Sequence, residues 1–228
     1  MDEVKQVAVP DSPEARRLAL LGGYHADLME AEGTLDLAET FTSDTDQRGS
    51  DIYRCLVAHA VIAYARCFVN SKVRESLSTI LSVPSAYEDA HRAMMVMRNR
   101  TVAHSESALQ VTYAVVDLRH VEQETTVDRA LSITFGTGIP RPVVEQVRLL
   151  ITELRAALQV HFDAAKAALV ASLDETAVED LWVNGKQPCL VPTSNSQWSA
   201  DTRRAEYPAS TETPIYVGWL PSEEQDQQ

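Results

Sequence analysis

The chain has 228 residues, 45% of them hydrophobic, and this length and composition are ordinary for a globular protein of one domain, or of one domain with an appendage. Its formal net charge of −13 excludes a general attraction to the backbone of nucleic acids. Any contact with RNA therefore requires a local basic patch, or a partner that supplies one.

The sequence predicts a cytoplasmic protein without metal, cofactor or membrane contact. Its three cysteines form no paired motif, and such a sparse, odd set is typical of reduced thiols in the cytosol. The first ten residues lack the basic and then apolar pattern of a secretion signal. The most apolar stretch, residues 55–69, is short and contains His59 and Arg66, so it is a poor membrane span. The sequence contains no glycine-rich phosphate loop, metal-ligand motif or nucleophile motif.

Apolar residues at helical spacing predict two long helices in the first third of the chain. After a loose arm of residues 1–12, the first helix is expected over residues 14–41 and the second over residues 52–70. The second helix is apolar around most of its girth, which predicts a central position in a bundle.

A small basic cluster follows the second helix. It consists of Arg66, Lys72 and Arg74, and the last two residues open a short helix predicted over residues 71–82. In an acidic protein this cluster is a candidate patch for binding a phosphate. The alternative is that Lys72 and Arg74 are solvated cations at a helix start, and that Arg66 is satisfied by local partners.

The remaining segments complete the predicted fold. A third helix is expected over residues 86–104, and alternating apolar residues then predict a β-hairpin at about residues 109–136. A clean apolar stripe predicts a last long helix over residues 140–173. The fold class is therefore mainly α, an up-and-down bundle of about four to five helices in residues 1–173 with an inserted β-hairpin. Residues 174–228 are expected to form an extended C-terminal arm with short apolar segments and a frayed end.

The end of the third helix carries the clearest candidate site. Three polar residues, Arg98, Asn99 and Arg100, follow an apolar run and precede His104. Arginine is a fixed cation with a forked set of donors that suits phosphate, and histidine can exchange a proton near neutral pH. The alternative is that both arginines are solvated cations near a helix C-terminus and that His104 is a cap.

This segment resembles the signature of the HEPN superfamily, through the residues Arg98-Asn99-Arg100-Thr101-Val102-Ala103-His104. In that family an Arg, usually followed by Asn, Asp or His, precedes a His at the end of a helix, and five residues separate Arg98 from His104 here. The resemblance implies a helical bundle and a metal-independent ribonuclease. It implies that Arg98 holds the phosphate, that Asn99 orients an arginine, and that His104 moves the proton.

Helix geometry leaves open which arginine meets His104. If the helix continues, Arg100 lies one turn from His104, whereas Arg98 lies about 120° away around the helix. Arg98 then reaches His104 only if the helix unwinds, or if a second subunit brings another copy. The family uses paired helices across a two-fold axis, so the resemblance implies a homodimer with Arg98 as the principal arginine and Arg100 as the alternative.

Two classes of function follow from these observations. The first is a HEPN-type endoribonuclease with a role as a toxin, in defence or in RNA processing, with RNA as substrate and an antitoxin or regulatory protein as partner. The second is a non-catalytic HEPN-fold dimer that binds or scaffolds. The complete Arg98-Asn99 and His104 pattern favours the first class, and the acidic surface favours the second.

Overall fold

The structure is a computed structural model, and it describes residues 3–41, 47–102, 109–121, 124–201 and 207–217. These residues form two compact units. We call residues 23–70 and 75–159 the helical unit. We call the described parts of residues 1–22, 71–74 and 160–228 the terminal unit.

The chain is mainly α-helical, as predicted. The helices in chain order are α1 (Pro13–Glu39), α2 (Gln47–Phe68), α3 (Glu88–Met97), α4 (Arg141–Ser172) and α5 (Glu175–Asn184). The strands are β1 (Gln110–Val121), β2 (Glu124–Gly136), β3 (Cys189–Ser194) and β4 (Glu212–Val217). No helix within the described ranges is long and apolar enough to cross a membrane.

Four helices supply the core of the helical unit. On α1 the buried residues recur at helical spacing, so one face of this helix is removed from water. The largest fully buried side chains of the unit are Tyr24, Leu28, Leu35, Val61, Tyr64, Leu77, Met94, Leu150, Ile151, Leu154 and Leu158. Carboxylates on α1 pair with arginines on α4, Glu32 with Arg155 and Asp36 with Arg148. These pairs border the apolar contact and set the register of the two helices.

The prediction of a short helix over residues 71–82 is wrong. The structure has only one turn of 3₁₀-helix there, Leu77–Thr79, after an irregular segment. A helix would need bonds from Ser76 N to Lys72 O and from Ser78 N to Arg74 O, but Asn70 Oδ1 accepts from Ser76 N at 2.8 Å and Ser76 Oγ accepts from Ser78 N at 3.2 Å. Such local bonds offer the backbone an alternative to helix formation.

The terminal unit joins the two ends of the chain. Residues 1–12 were expected to be loose, but Ala8 N donates to Lys186 O at 2.9 Å and Tyr207 Oη donates to Val9 O at 2.6 Å. The region expected to be an extended arm contains the ten-residue helix α5, which Asp174 caps by accepting from Ala177 N. The short apolar segments at 189–191 and 215–217 lie in β3 and β4, which pair in parallel.

The predicted β-hairpin is present in the helical unit, and its strands are longer than expected. β1 and β2 pair antiparallel from Gln110 with Gly136 to Val121 with Glu124, with an irregularity between Asp117 and Leu118. Its base lies against α2, because a Cβ on Gly136 would fall 1.8 Å from an Nη atom of Arg54. We call β1 and β2 together the hairpin.

Candidate functional site

The motif arginines lie on a widened turn at the end of α3. Arg98–Val102 form one turn of π-helix, and the backbone N–H of Arg98 donates to the carbonyls of both Met94 and Met95. We call Arg98–Val102 the motif turn. Wide turns of this kind occur often at functional sites. The uniform α-helical spacing used to separate Arg98 from His104 therefore does not apply from Arg98 onward.

Arg98 and Asn99 are in direct contact. Arg98 Nη1 donates a hydrogen bond to Asn99 Oδ1 at 2.9 Å, with the Arg98 side chain half-buried and Asn99 exposed. A guanidinium has five N–H donors, so one bond to an amide orients the group and leaves other donors for a ligand.

Within the described ranges, Arg98 and Arg100 form no ion pair with a carboxylate. Most other arginines of this acidic chain do, namely Arg16, Arg54, Arg66, Arg92, Arg119, Arg129, Arg148 and Arg155. An arginine without a carboxylate keeps its charge available to an anion from outside. The motif turn thus carries two such cations, Arg98 and Arg100, two residues apart at the end of α3.

His104 lies outside the described residues, as does the rest of the segment 103–108. The distances from His104 to the two arginines therefore fall outside the part of the chain that the structure describes. The structure describes the phosphate-binding half of the predicted site, Arg98, Asn99 and Arg100.

The predicted basic cluster is divided between the two units. Arg66 lies in the helical unit, where it binds Asp27 at 2.9 Å and also Glu30. Burial lowers the pKa of Arg66, but the two carboxylates outweigh this effect and the net shift is upward. Its charge is therefore compensated within the fold. Lys72 is exposed and Arg74 half-buried, and both belong to the terminal unit.

Glu30 is the centre of the network around Arg66. It accepts from Arg66 and lies 2.7 Å from His59 Nε2, so both residues have a local partner, which is the alternative left open for Arg66. Partial burial raises the pKa of Glu30, but the hydrogen bonds from Arg66 and His59 outweigh it, so this pKa lies below its usual value. The network links α1 to α2.

Sequence reasoning missed a second polar contact, which joins α2 to α3. Tyr64 Oη lies 2.8 Å from His91 Nδ1, and the His91 ring meets Phe68 edge-on with centroids 4.7 Å apart. Burial raises the pKa of Tyr64 and lowers that of His91, so both groups are held in their neutral forms. The available signal was the spacing of four between Tyr64 and Phe68 on a buried helix, which marks a contact face.

The contact between Tyr64 and His91 holds the part of α3 that precedes the motif turn. His91 precedes Arg98 by seven residues, which is two helical turns and nearly the same face of α3. Because His91 is held against α2, the orientation of α3 relative to α2, and with it that of the motif turn at its end, is fixed.

Comparison with protein-family models, curated proteins and solved structures finds no match to this chain. No group of three or more His, Cys, Asp or Glu side chains in the described part of the chain is arranged to hold a metal ion.

Proposed function

We propose that this chain is a HEPN-type, metal-independent endoribonuclease that works as a cytoplasmic homodimer. The observation that carries the proposal is the state of Arg98, which bonds to Asn99 and has no carboxylate partner among the described residues. Among the described residues, eight arginines pair with a carboxylate, whereas Arg98 and Arg100, the arginines that the HEPN resemblance assigns to phosphate, do not.

The chemistry follows from the residue types. The 2′-hydroxyl of one nucleotide attacks the adjacent phosphorus, His104 takes the hydroxyl proton, and the P–O5′ bond breaks with proton return to the leaving oxygen. The products are a 2′,3′-cyclic phosphate and a free 5′-hydroxyl. Arg98, with Arg100 as reserve, neutralises the charge that builds on the phosphate oxygens in the transition state. Asn99 holds the Arg98 guanidinium in position.

The direct test is RNA cleavage by the purified protein in EDTA. Wild type should degrade RNA and leave cyclic phosphate ends, and His104→Ala should lose this activity. Arg92→Ala is the matched control, because Arg92 lies on α3 and pairs with Asp89. Equal cleavage by wild type and His104→Ala would show that the activity belongs to a contaminant, and would remove the proposal.

The second candidate is a non-catalytic HEPN-fold module that binds or scaffolds. It is favoured by the net charge of −13, because an acidic surface repels the RNA backbone. On this proposal the free arginines bind an acidic group of a partner protein. If the chain is a nuclease instead, its antitoxin or regulatory partner must leave the motif turn accessible to RNA.

A further inference from the structure

The hairpin exposes an apolar face that nothing within the described ranges covers fully. The face consists of three consecutive cross-strand pairs, Val111 with Phe135, Tyr113 with Ile133, and Val115 with Leu131. Tyr113 is 52% and Phe135 60% exposed, whereas Val115 and Leu131 are half-buried. We call these six side chains the apolar face.

The opposite side of the hairpin has a different character. It carries Thr112 bonded to Thr134 at 2.9 Å, and Ala114 opposite Ser132. Its exposed aliphatic residues, Val116, Leu118 and Val127, are confined to the outer end. Only the apolar face joins large apolar side chains into one continuous surface at the base of the hairpin.

The edges of the hairpin are also open. β1 has 12 residues and β2 has 13, and neither contains Lys or Pro, the residues that usually block an exposed strand edge. A two-stranded hairpin is marginal in water unless its apolar face is packed. The marginal stability of an isolated hairpin therefore favours a partner that covers the apolar face.

The charged side chains next to the apolar face indicate which kind of partner can cover it. Beyond the apolar face lie two cross-strand ion pairs, Arg129 with Asp117 at 2.5 Å and Arg119 with Asp128 at 2.7 Å. The four charges cancel, and Glu124, opposite Val121, leaves this side of the hairpin with only a small net charge in a chain of −13, so two copies can approach there with little repulsion. It offers no excess positive charge to a nucleic acid.

Area points to the same partner. The exposed parts of the apolar face amount to about 400 Å², larger than scattered surface apolar residues produce. With the four charged side chains beyond it, one hairpin presents roughly 800 Å², the size that each partner contributes to a standard stable interface.

We propose that the apolar face of the hairpin is the contact surface of a homodimer, with the two-fold axis along the strands. This arrangement sets Tyr113 of one protomer against Ile133 of the partner subunit and brings the apolar ends together. The motif turn ends at Val102 and β1 begins at Gln110, so both motif turns are tethered near the same end of the interface. The proposal rests on the proposed function for its dimer, and it adds the hairpin as a contact surface beside the paired helices that the resemblance implies.

The test compares neighbouring residues on opposite faces. Ile133→Glu places a charge on the apolar face, and Ser132→Glu places the same charge on the other side of the same strand. In sedimentation over a range of concentrations, Ile133→Glu should raise the dimer dissociation constant about tenfold or more, and Ser132→Glu should leave it within about twofold. Circular dichroism checks that both variants are folded.

A mixing experiment guards against a folding defect. Tyr113→Lys alone should also weaken the dimer, but a mixture with Ile133→Glu should recover it, because the axis sets these two positions against each other. A wild type that stays monomeric at about 100 μM, or equal weakening by Ile133→Glu and Ser132→Glu, would overturn the proposal. Absence of recovery in the mixture would overturn the placement of the axis.

Cleavage assays on the same proteins separate this proposal from the nuclease. A dimer that depends on the apolar face but does not cleave RNA supports the surface and contradicts the nuclease. RNA cleavage by a strict monomer, abolished by His104→Ala, supports the nuclease chemistry and contradicts both the proposed homodimer and the surface.

Discussion

Two arginines of the helical unit, Arg66 and Arg98, have opposite surroundings. Arg66 on α2 binds Asp27 and Glu30, and through Glu30 it is linked to His59. Arg98 at the end of α3 bonds only to the neutral amide of Asn99 within the described ranges. The comparison shows that a cation in a basic-looking cluster can be engaged in joining helices, whereas Arg98, at a helix end, has no carboxylate partner among the described residues.

The largest expected difference is in catalysis. Arg98→Ala should reduce RNA cleavage by about 10²–10³, because loss of a contact to the transition-state phosphate typically costs that much. Arg100→Ala should cost less, and Arg66→Ala should leave the rate of the folded protein near wild type. Initial rates on one RNA substrate measure all three. A larger loss for Arg100→Ala, in folded dimeric protein, would reverse the assignment of the principal arginine.

Growth of a bacterial host extends the same comparison to the cell. Expression of the wild type should slow growth, and Arg98→Ala or His104→Ala should relieve the effect, whereas Arg66→Ala should remain toxic if it still folds. Growth curves at matched expression levels give the measurement. Equal growth of all strains, in a host without an inhibitor, would favour the scaffolding function.

Removal of one hydroxyl group, that of Tyr64, should weaken the contact that holds α3 near the motif turn. Tyr64→Phe removes the bond to His91 and should lower the free energy of unfolding by about 1 kcal/mol. Tyr53→Phe on the same helix is the matched control, because the Tyr53 hydroxyl is buried without a hydrogen-bond partner in the described part of the chain. Its removal should be neutral or stabilising. Urea unfolding of both variants decides, and equal losses would show that the Tyr64 contact has no special weight.

The same contact predicts a dependence of stability on pH. Burial lowers the pKa of His91 below its usual value of 6.5, so below that pH the unfolded state binds a proton that the folded state resists. Stability should be complete above pH 6.5 and fall as the pH drops from there toward the lowered pKa. His91→Gln should flatten this part of the profile, and His161→Gln on α4 is the control. A profile unchanged by His91→Gln would contradict the assignment.

The smallest effect is expected at Arg66 itself. Its ion pairs are partly exposed, and exposed pairs contribute from zero to about 1 kcal/mol, so Arg66→Ala should lower the free energy of unfolding by less than that. A double-mutant cycle with Glu30→Gln isolates the pair. A coupling well above about 1 kcal/mol would mean that the network holds α1 on α2 more strongly than exposed pairs do.

Local patterns predicted most of the fold. The apolar stripes of α1, α2 and α4 gave helices within a few residues of the observed ends, and alternation gave the hairpin. The failures have local causes as well. The sequence predicts a helix over residues 71–82, but the side chains of Asn70 and Ser76 accept from the backbone donors of Ser76 and Ser78. The ten-residue helix α5, which Asp174 caps, was missed because the aromatic and proline-rich region around it predicted an extended arm.

The sequence by itself determined the helices, the hairpin and the adjacency of Arg98 and Asn99, because each depends on residues close together in the chain. Only the tertiary structure decided which cations are compensated. Arg66 meets carboxylates 36 and 39 residues away, and Tyr64 meets His91 across 27 residues. Periodicity reports which face of a helix is buried, but an ion pair forms only where two faces approach within a few ångströms, and that approach is set by packing of the whole unit.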